Sequence, residues 1–259
     1  MTSRSRFLIT VSSILSASVL FTSCMSLIMG AGFSNMKSPD YIPLHKNVKI
    51  GDYAILKSFT KTEAVINPES TTKSRFEVIG KEGNLYVVRI SFFEAAIPAM
   101  ENYGFEDWVD KDGWVKKAFL LEGKGDATKK TVQTIAKKGE TGFMEYTDLQ
   151  TTAKMKNATR TFTNIKLYQA NAYAGDAANN SKSVTFFAFQ DDIPFQIVFG
   201  NTITDLNYTV RNRSQMGYMI VTTYTKKTTS MGTITSLIES GNTVSKTSTV
   251  YAEDYEFIK

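Results

Sequence analysis

From residue 51 onward, apolar side chains recur at every second position or in short β-branched runs, each bounded by Gly, Asn, Asp or Pro. Period two sends alternate side chains to opposite faces of an extended chain, so the pattern predicts strands with one covered face. Sustained 3.6-residue periodicity is scarce. The expected strands are 51–62, 74–80, 85–93, 114–122, 131–137, 143–146, 153–162, 166–173, 184–190, 195–203, 217–226, 233–238 and 248–257. The clearest hairpin signal is KEGN at 81–84, where Gly83 is free to take positive φ. The longest stretch without a strand pattern, 94–113, is expected to supply a short helix or lid. Threonine is used 31 times and crowds into 220–235 (IVTTYTKKTTSMGTIT). Alternating with apolar residues, it suits a strand with one solvated face. The sum is an all-β, mainly antiparallel fold of about a dozen strands.

Composition adds exclusions. Of 259 residues, 42% are hydrophobic, enough for a sizeable core, and 51–259 contains no repeat or Gly/Pro-rich linker, so one domain is expected there. The formal charge is +5, and discounting Arg4 and Arg6 in the leader leaves +3, with Lys and Arg interspersed among Asp and Glu. That distribution does not point to nucleic acid as a partner. One His and one Cys cannot supply a multi-ligand zinc site or a Ser-His-Asp or Cys-His centre. There is no P-loop, G-x-G-x-x-G or G-x-S-x-G. The expectation is a non-enzymatic protein with no cofactor and no metal.

The first residues read as an export signal. Arg4 and Arg6 precede a Ser/Thr-diluted apolar run, 7–21, that is too short to span a bilayer. Thr22 and Ser23 then precede Cys24, the only cysteine. This resembles the lipobox of bacterial lipoproteins, with Phe21 standing where Leu is usual. The resemblance implies a signal peptide over 1–23, acylation (palmitate included) of Cys24, and a lipidated N-terminus and tether over 24–50. Several acyl chains are more than stable anchoring needs. With Met25 and Ser26 after the cysteine rather than Asp, the expected location is the bacterial cell envelope, at the outer membrane, the membrane being a partner through the lipid on Cys24. His45, beside Lys46 in the tether, reads as a solvated loop residue.

The order of motifs in the globular part resembles exported domains of the LolA and LolB type. Gly51-Asp52-Tyr53 opens a strand, a Gly-centred hairpin runs over 76–90, and Thr161-Phe162-Thr163-Asn164-Ile165-Lys166 follows; VTFFAFQDDIP at 184–194 and FQIVFG at 195–200 complete the pattern. The resemblance covers 50–226 and implies a single curved antiparallel sheet, or half-barrel, with a concave apolar face. Such a face accepts an acyl chain or similar amphiphile if side chains do not fill it. The candidate lining is Phe92, Phe93, Trp108, Trp114, Phe187, Phe189, Phe195 and Phe199, with Met100, Tyr103, Phe105 and Phe186 behind them. The leading function is therefore a membrane-anchored, non-enzymatic binding module for a lipid, acyl chain or amphiphile, facing either the periplasm or the outside. The alternative is a surface-exposed structural lipoprotein with a filled core that contacts protein partners.

Carboxylates are the remaining chemical material. Glu101, Glu106, Asp107, Asp110 and Asp112 surround Trp108, which suggests a glycosidase-like acid pair or a calcium loop. The spacing fails the alternate-position pattern of an EF-hand, and a solvated acidic turn is the expected state. The Lys pairs 116–117, 129–130, 137–138 and 226–227 are expected on hairpin ends, where they keep edge strands soluble.

Overall fold

A computed structural model describes residues 38–63, 69–96, 98–137, 144–175 and 179–258. Thirteen strands form one open, curved, antiparallel sheet. They are β1 (Asp52–Thr62), β2 (Glu69–Glu82), β3 (Leu85–Phe93), β4 (Tyr103–Val109), β5 (Val115–Glu122), β6 (Lys129–Gln133), β7 (Met144–Lys156), β8 (Thr161–Gly175), β9 (Asn180–Phe189), β10 (Ile197–Met216), β11 (Met219–Asn242), β12 (Thr247–Val250) and β13 (Glu256–Ile258). The order across the sheet is β13-β7-β8-β9-β10-β11-β1-β2-β3-β4-β5-β6, with β12 on β11. The all-β curved sheet is thus as expected. Cys24, the whole leader and Lys138 lie outside the described residues.

Alternation explains the strands. In β1, Ala54, Leu56, Ser58, Thr60 and Thr62 turn inward and are buried, while Lys57, Phe59 and Lys61 turn outward. The KEGN turn joins β2 to β3, pairing Glu82 with Leu85 around Gly83 at φ 59°. Buried side chains from most strands meet on the concave face, the largest being Phe76, Phe105, Phe187 and Phe195.

Three expectations change. The 94–113 stretch holds only a short 3-10 turn, Pro98–Asn102, before becoming β4. β4 carries Glu106 and Asp107 side by side, so its acids resemble a turn, yet they face opposite sides of a strand that lies between β3 and β5. The separate strands expected at 195–203, 217–226 and 233–238 are two long ones, β10 and β11, because Thr and Arg at 207–228 keep the period of two after the apolar residues stop. The third is the end of the expected tether, which is part of the domain. Residues 38–50 enter the interior, where Ile42, Leu44 and Val48 are at most 5% exposed.

This strap is held at both sides of the open sheet. Toward β4–β6, the Ile42 amide donates to Gly113 O (2.8 Å), the Val115 amide to Asp40 O (2.9 Å) and the Ser38 amide to Thr134 O (2.9 Å). Toward the β9–β10 connection, the His45 amide donates to Pro194 O (2.9 Å) and Gln196 Nε2 to Leu44 O (2.6 Å). The C-terminal segment crosses the other face. Glu253 pairs with Lys57, Tyr255 stacks near Phe199 (6.4 Å between ring centroids), and β13 joins β7.

Gly113 has φ 94°, and a Cβ there would sit 2.6 Å from the Tyr41 ring and 2.8 Å from Ile42 O. Gly113→Ala is therefore expected to cost about 2–3 kcal/mol from the unfavourable φ and the displaced strap. Urea unfolding measures the loss, and faster tryptic cleavage at Lys46 and Lys49 reports strap release. An unchanged midpoint would show that the strap does not depend on this close approach.

Candidate functional site

The cross-strand register resolves the concave face into rows. One runs Ala54–Phe76–Ile90–Phe105–Leu120 across β1 to β5. Nearer the other end of the sheet, a row runs Ala170–Thr185–Thr202–Thr233–Thr60–Ser70 across β8, β9, β10, β11, β1 and β2. The rows beside it contain Ser183, Thr204, Thr235, Ser58 and Thr72. The face is therefore amphipathic along its length, apolar where the strap lies and hydroxyl-rich beyond it.

The hydroxyls are buried, and they bond in cross-strand pairs. Ser58 with Thr235 (3.0 Å), Thr60 with Thr233 (2.8 Å), Ser183 with Thr204 (2.8 Å) and Thr185 with Thr202 (2.9 Å) are each opposite one another in the ladder. In the Thr60–Thr233, Ser183–Thr204 and Thr185–Thr202 pairs one hydroxyl donates to the other, and each hydroxyl has two acceptor sites besides its hydrogen. The threonines expected on a solvated face are, in this half of the sheet, on the covered one.

The sequence-predicted lining residues separate into two groups. Phe92, Phe187, Phe189 and Phe195 belong to the buried interior, together with Met100 and Phe105. Phe195 meets Phe76 at 5.7 Å between centroids, and Phe187 meets Phe189 at 5.7 Å. The other four are not on the concave face. Phe93 follows Phe92 and pairs with Lys73, so it takes the opposite side of β3. Trp108 lies on the outer side of β4, donates its Nε1–H to Glu82 (2.5 Å), and carries the Lys117 and Lys130 ammonium groups over its ring at 4.6 Å each. Phe199 shares a row with Ala188 and Leu167 on the outer face, where the C-terminal segment covers it. Trp114 sits at the β4–β5 turn, 46% exposed, edge-on to Tyr41 at 5.2 Å. Phe186 is likewise on the outer side and Tyr103 is half-buried. A period-two pattern identifies which residues share a face but not which face is concave, and the irregularities at Trp108/Val109 and Ile197/Phe199 reset the parity.

Sequence inspection missed Tyr41 and Tyr146. Tyr41, from the strap, contacts Trp114 and also Tyr146 of β7 (5.4 Å), and Tyr146 contacts Phe187 (6.2 Å). This line of rings runs from the β4–β5 turn to β9 across the mouth of the open sheet. The tether's lack of periodicity hid it.

The acidic group does not assemble. Glu106 lies on the outer face between Arg89 (2.6 Å) and Lys130, which together hold its carboxyl below the usual range against the cost of burial. Asp110 caps its own turn, accepting from the Asp112 and Trp114 amides at 3.0 and 2.9 Å. Glu101 accepts from the Ala95 amide at 3.3 Å. Two of the five, Glu106 and Asp107, are buried, which corrects the expected solvated turn. Asp107 is wholly enclosed on the concave side; its Oδ1 accepts from Ser38 Oγ (2.9 Å), and its Oδ2 has no hydrogen-bond partner among the described residues. Asp40 of the strap is also buried with both carboxyl oxygens unpartnered there. Burial pushes Asp107 up to about 7 and Asp40 up to about 6. The Lys pairs lie on strands: Lys116 and Lys117 on β5 and Lys129 and Lys130 on the neighbouring β6, where Lys117 and Lys130 meet over Trp108, and Lys226 and Lys227 on β11. His45 accepts from the Asn47 amide at Nδ1 (3.1 Å) in the strap.

No protein-family model and no curated protein matches the chain. Solved structures match it, these two among them. A domain assigned to outer membrane lipoprotein sorting, from Vibrio parahaemolyticus, is 11% identical with a TM-score of 0.29, over 80% of this chain and 84% of that one. A DUF1329 family protein from Desulfovibrio piger is 7% identical with a TM-score of 0.26, over 71% and 83%.

Both raised carboxyls make the native state bind protons that the unfolded chain, with Asp near 3.9, releases. The stability they leave intact below about pH 4 is expected to fall as pH rises through about 6 and 7. Asp107→Asn should flatten that slope and raise the urea midpoint at pH 8 relative to the parent chain. Parallel pH–stability curves for the two proteins would contradict this assignment.

Proposed function

We propose that this chain is an envelope lipoprotein, anchored to the outer membrane through Cys24, and that it acts by binding rather than by catalysis. Its concave face holds a lipid, an acyl chain or a similar amphiphile. The observation that carries this proposal is the division of that face, with Phe76, Ile90 and Phe105 at one end and hydroxyl rows around Thr60, Thr185, Thr202 and Thr233 at the other. An amphiphile needs an apolar wall for its chain and donors and acceptors for its head, in that order along one surface. The strap lies over the apolar end with Ile42, Leu44 and Val48, so entry of a chain requires these residues to yield.

The same strap favours a second function. If it stays in place, the interior is a filled core and the protein is a structural or protein-interaction lipoprotein with no small ligand. The two differ in one measurement. The full chain carrying Cys24→Ser, whose anchor cannot be mistaken for a ligand, is incubated with envelope phospholipid vesicles and examined by native mass spectrometry. One bound amphiphile per chain, lost in Thr202→Val/Thr233→Val with an unchanged melting temperature, is the expected result. A bare polypeptide mass after incubation would overturn the amphiphile proposal and leave the filled-core alternative.

A further inference from the structure

The β10–β11 hairpin extends well past its neighbours. β9 leaves β10 at Asn207, and β1 leaves β11 at Met231, but β10 and β11 stay paired from Tyr208↔Lys227 out to Met216↔Met219. The Thr209 amide still donates to Asn179 Oδ1 (3.0 Å), and at about 3.3 Å per residue the part beyond it reaches roughly 20–25 Å past the sheet. Gly217, at φ 58°, and Tyr218 form its two-residue turn. Among the described residues no third strand pairs with it, and a two-stranded ribbon by itself is marginally stable in water, so an arm of this length calls for a partner.

Its composition selects the kind of partner. Residues 207–228 contain Arg211, Arg213, Lys226 and Lys227 and no Asp or Glu, in a chain whose charges are otherwise interspersed. The end is apolar instead: Tyr218 is fully exposed, and Met216, Met219 and Ile220 are 66–67% exposed. Met216 and Met219 face each other on one side of the ribbon, Ile220 is on the opposite side, and Tyr218 sits at the apex. Apolar surface all round a tip suits a medium that is apolar in every direction, whereas a protein groove reads one face. The cations begin three residues back from the tip on β10, with the Arg211 guanidinium over the Tyr224 ring (5.7 Å). That places positive charge at the level of lipid headgroups when the tip reaches the acyl boundary. A second copy of the arm, equally cationic, would be repelled.

We infer that the Tyr208–Lys227 arm is a membrane-docking element that sinks Met216, Tyr218, Met219 and Ile220 into the surface of an anionic phospholipid bilayer. The inference does not depend on the amphiphile proposed for the concave face. It is tested in the full chain bearing Cys24→Ser, with an environment-sensitive NBD fluorophore on Met219→Cys and, as control, on Lys111→Cys. Lys111 is in the β4–β5 turn, at the end of the sheet away from the arm, with an 80% exposed side chain. Vesicles of phosphatidylglycerol in phosphatidylcholine should raise and blue-shift the emission at 219 and leave 111 unchanged. Pure phosphatidylcholine vesicles should have little effect. Replacing Arg211, Arg213, Lys226 and Lys227 with Gln should weaken the apparent vesicle affinity by at least about tenfold. Because these positions are exposed and outside the core, an unchanged circular-dichroism melt verifies folding. A probe at 219 that stays in water, one that responds equally to neutral vesicles, or equal responses at 219 and 111 would each overturn the inference; the first would leave the tip to a protein partner.

Discussion

The sheet is open, and its concave side is apolar, so the fold depends on what crosses that side. Thirteen strands in one layer expose two edges and one large face, and neither can be left wet over the row from Ala54 to Leu120. The strap meets both needs with one segment. Its Ile42, Leu44 and Val48 take up the apolar face, and its backbone bonds reach Gly113 and Thr134 near one edge and Pro194 on the other side of the opening. An isolated strand adding to an edge would satisfy hydrogen bonds without covering the face, and a helix would cover the face with all its bonds internal. An extended segment with only scattered bonds does some of each, and so it is the part of the interior held least firmly.

That weakness has a local chemical counterpart. Where the strap meets β4, the structure buries two carboxyls, Asp40 and Asp107, with three oxygens left without partners among the described residues. Hydrophobic residues of similar size would hold the strap more tightly, since an unpartnered buried carboxyl is a net cost in either protonation state and a larger one when charged. The C-terminal segment, crossing the outer face, is fastened differently. Glu253 pairs with Lys57, the Tyr255 hydroxyl donates to Leu237 O at 2.6 Å, and Asn157 Nδ2 donates to Ala252 O at 3.1 Å, with no orphaned carboxyl at those contacts.

Much of the fold was legible because strand alternation is a local signal. The Gly83 hairpin, the inward Ala54 and Leu56, and the run Val184 to Phe189 follow from period two alone. β4 was not legible, since Glu106 and Asp107 next to Gly104 mimic a turn, and only the ion pairs with Arg89 and Lys130 make an outward acid affordable in mid-sheet. The strap was not legible because its two prolines and scattered apolar residues have no period, and burial came from a distant surface. The site suffered most from the two-fold ambiguity of a strand. Phe187 and Phe189 lie inside, while Phe199, only ten residues beyond Phe189, lies outside after one bulge.

Threonine is where composition misled most usefully. In the outer half of β10 and β11 it does stand in water, as strand sequences of this kind usually do. In the half nearer the core the same alternation continues, but the sheet's curvature encloses it, and Thr60, Thr185, Thr202 and Thr233 become a buried row. A β-branched hydroxyl keeps the strand propensity of valine while carrying a donor and two acceptor sites, so one residue type serves both environments. Cross-strand pairing satisfies part of this capacity and leaves part open. An interior that needed only to be filled would be better served by valine at these positions.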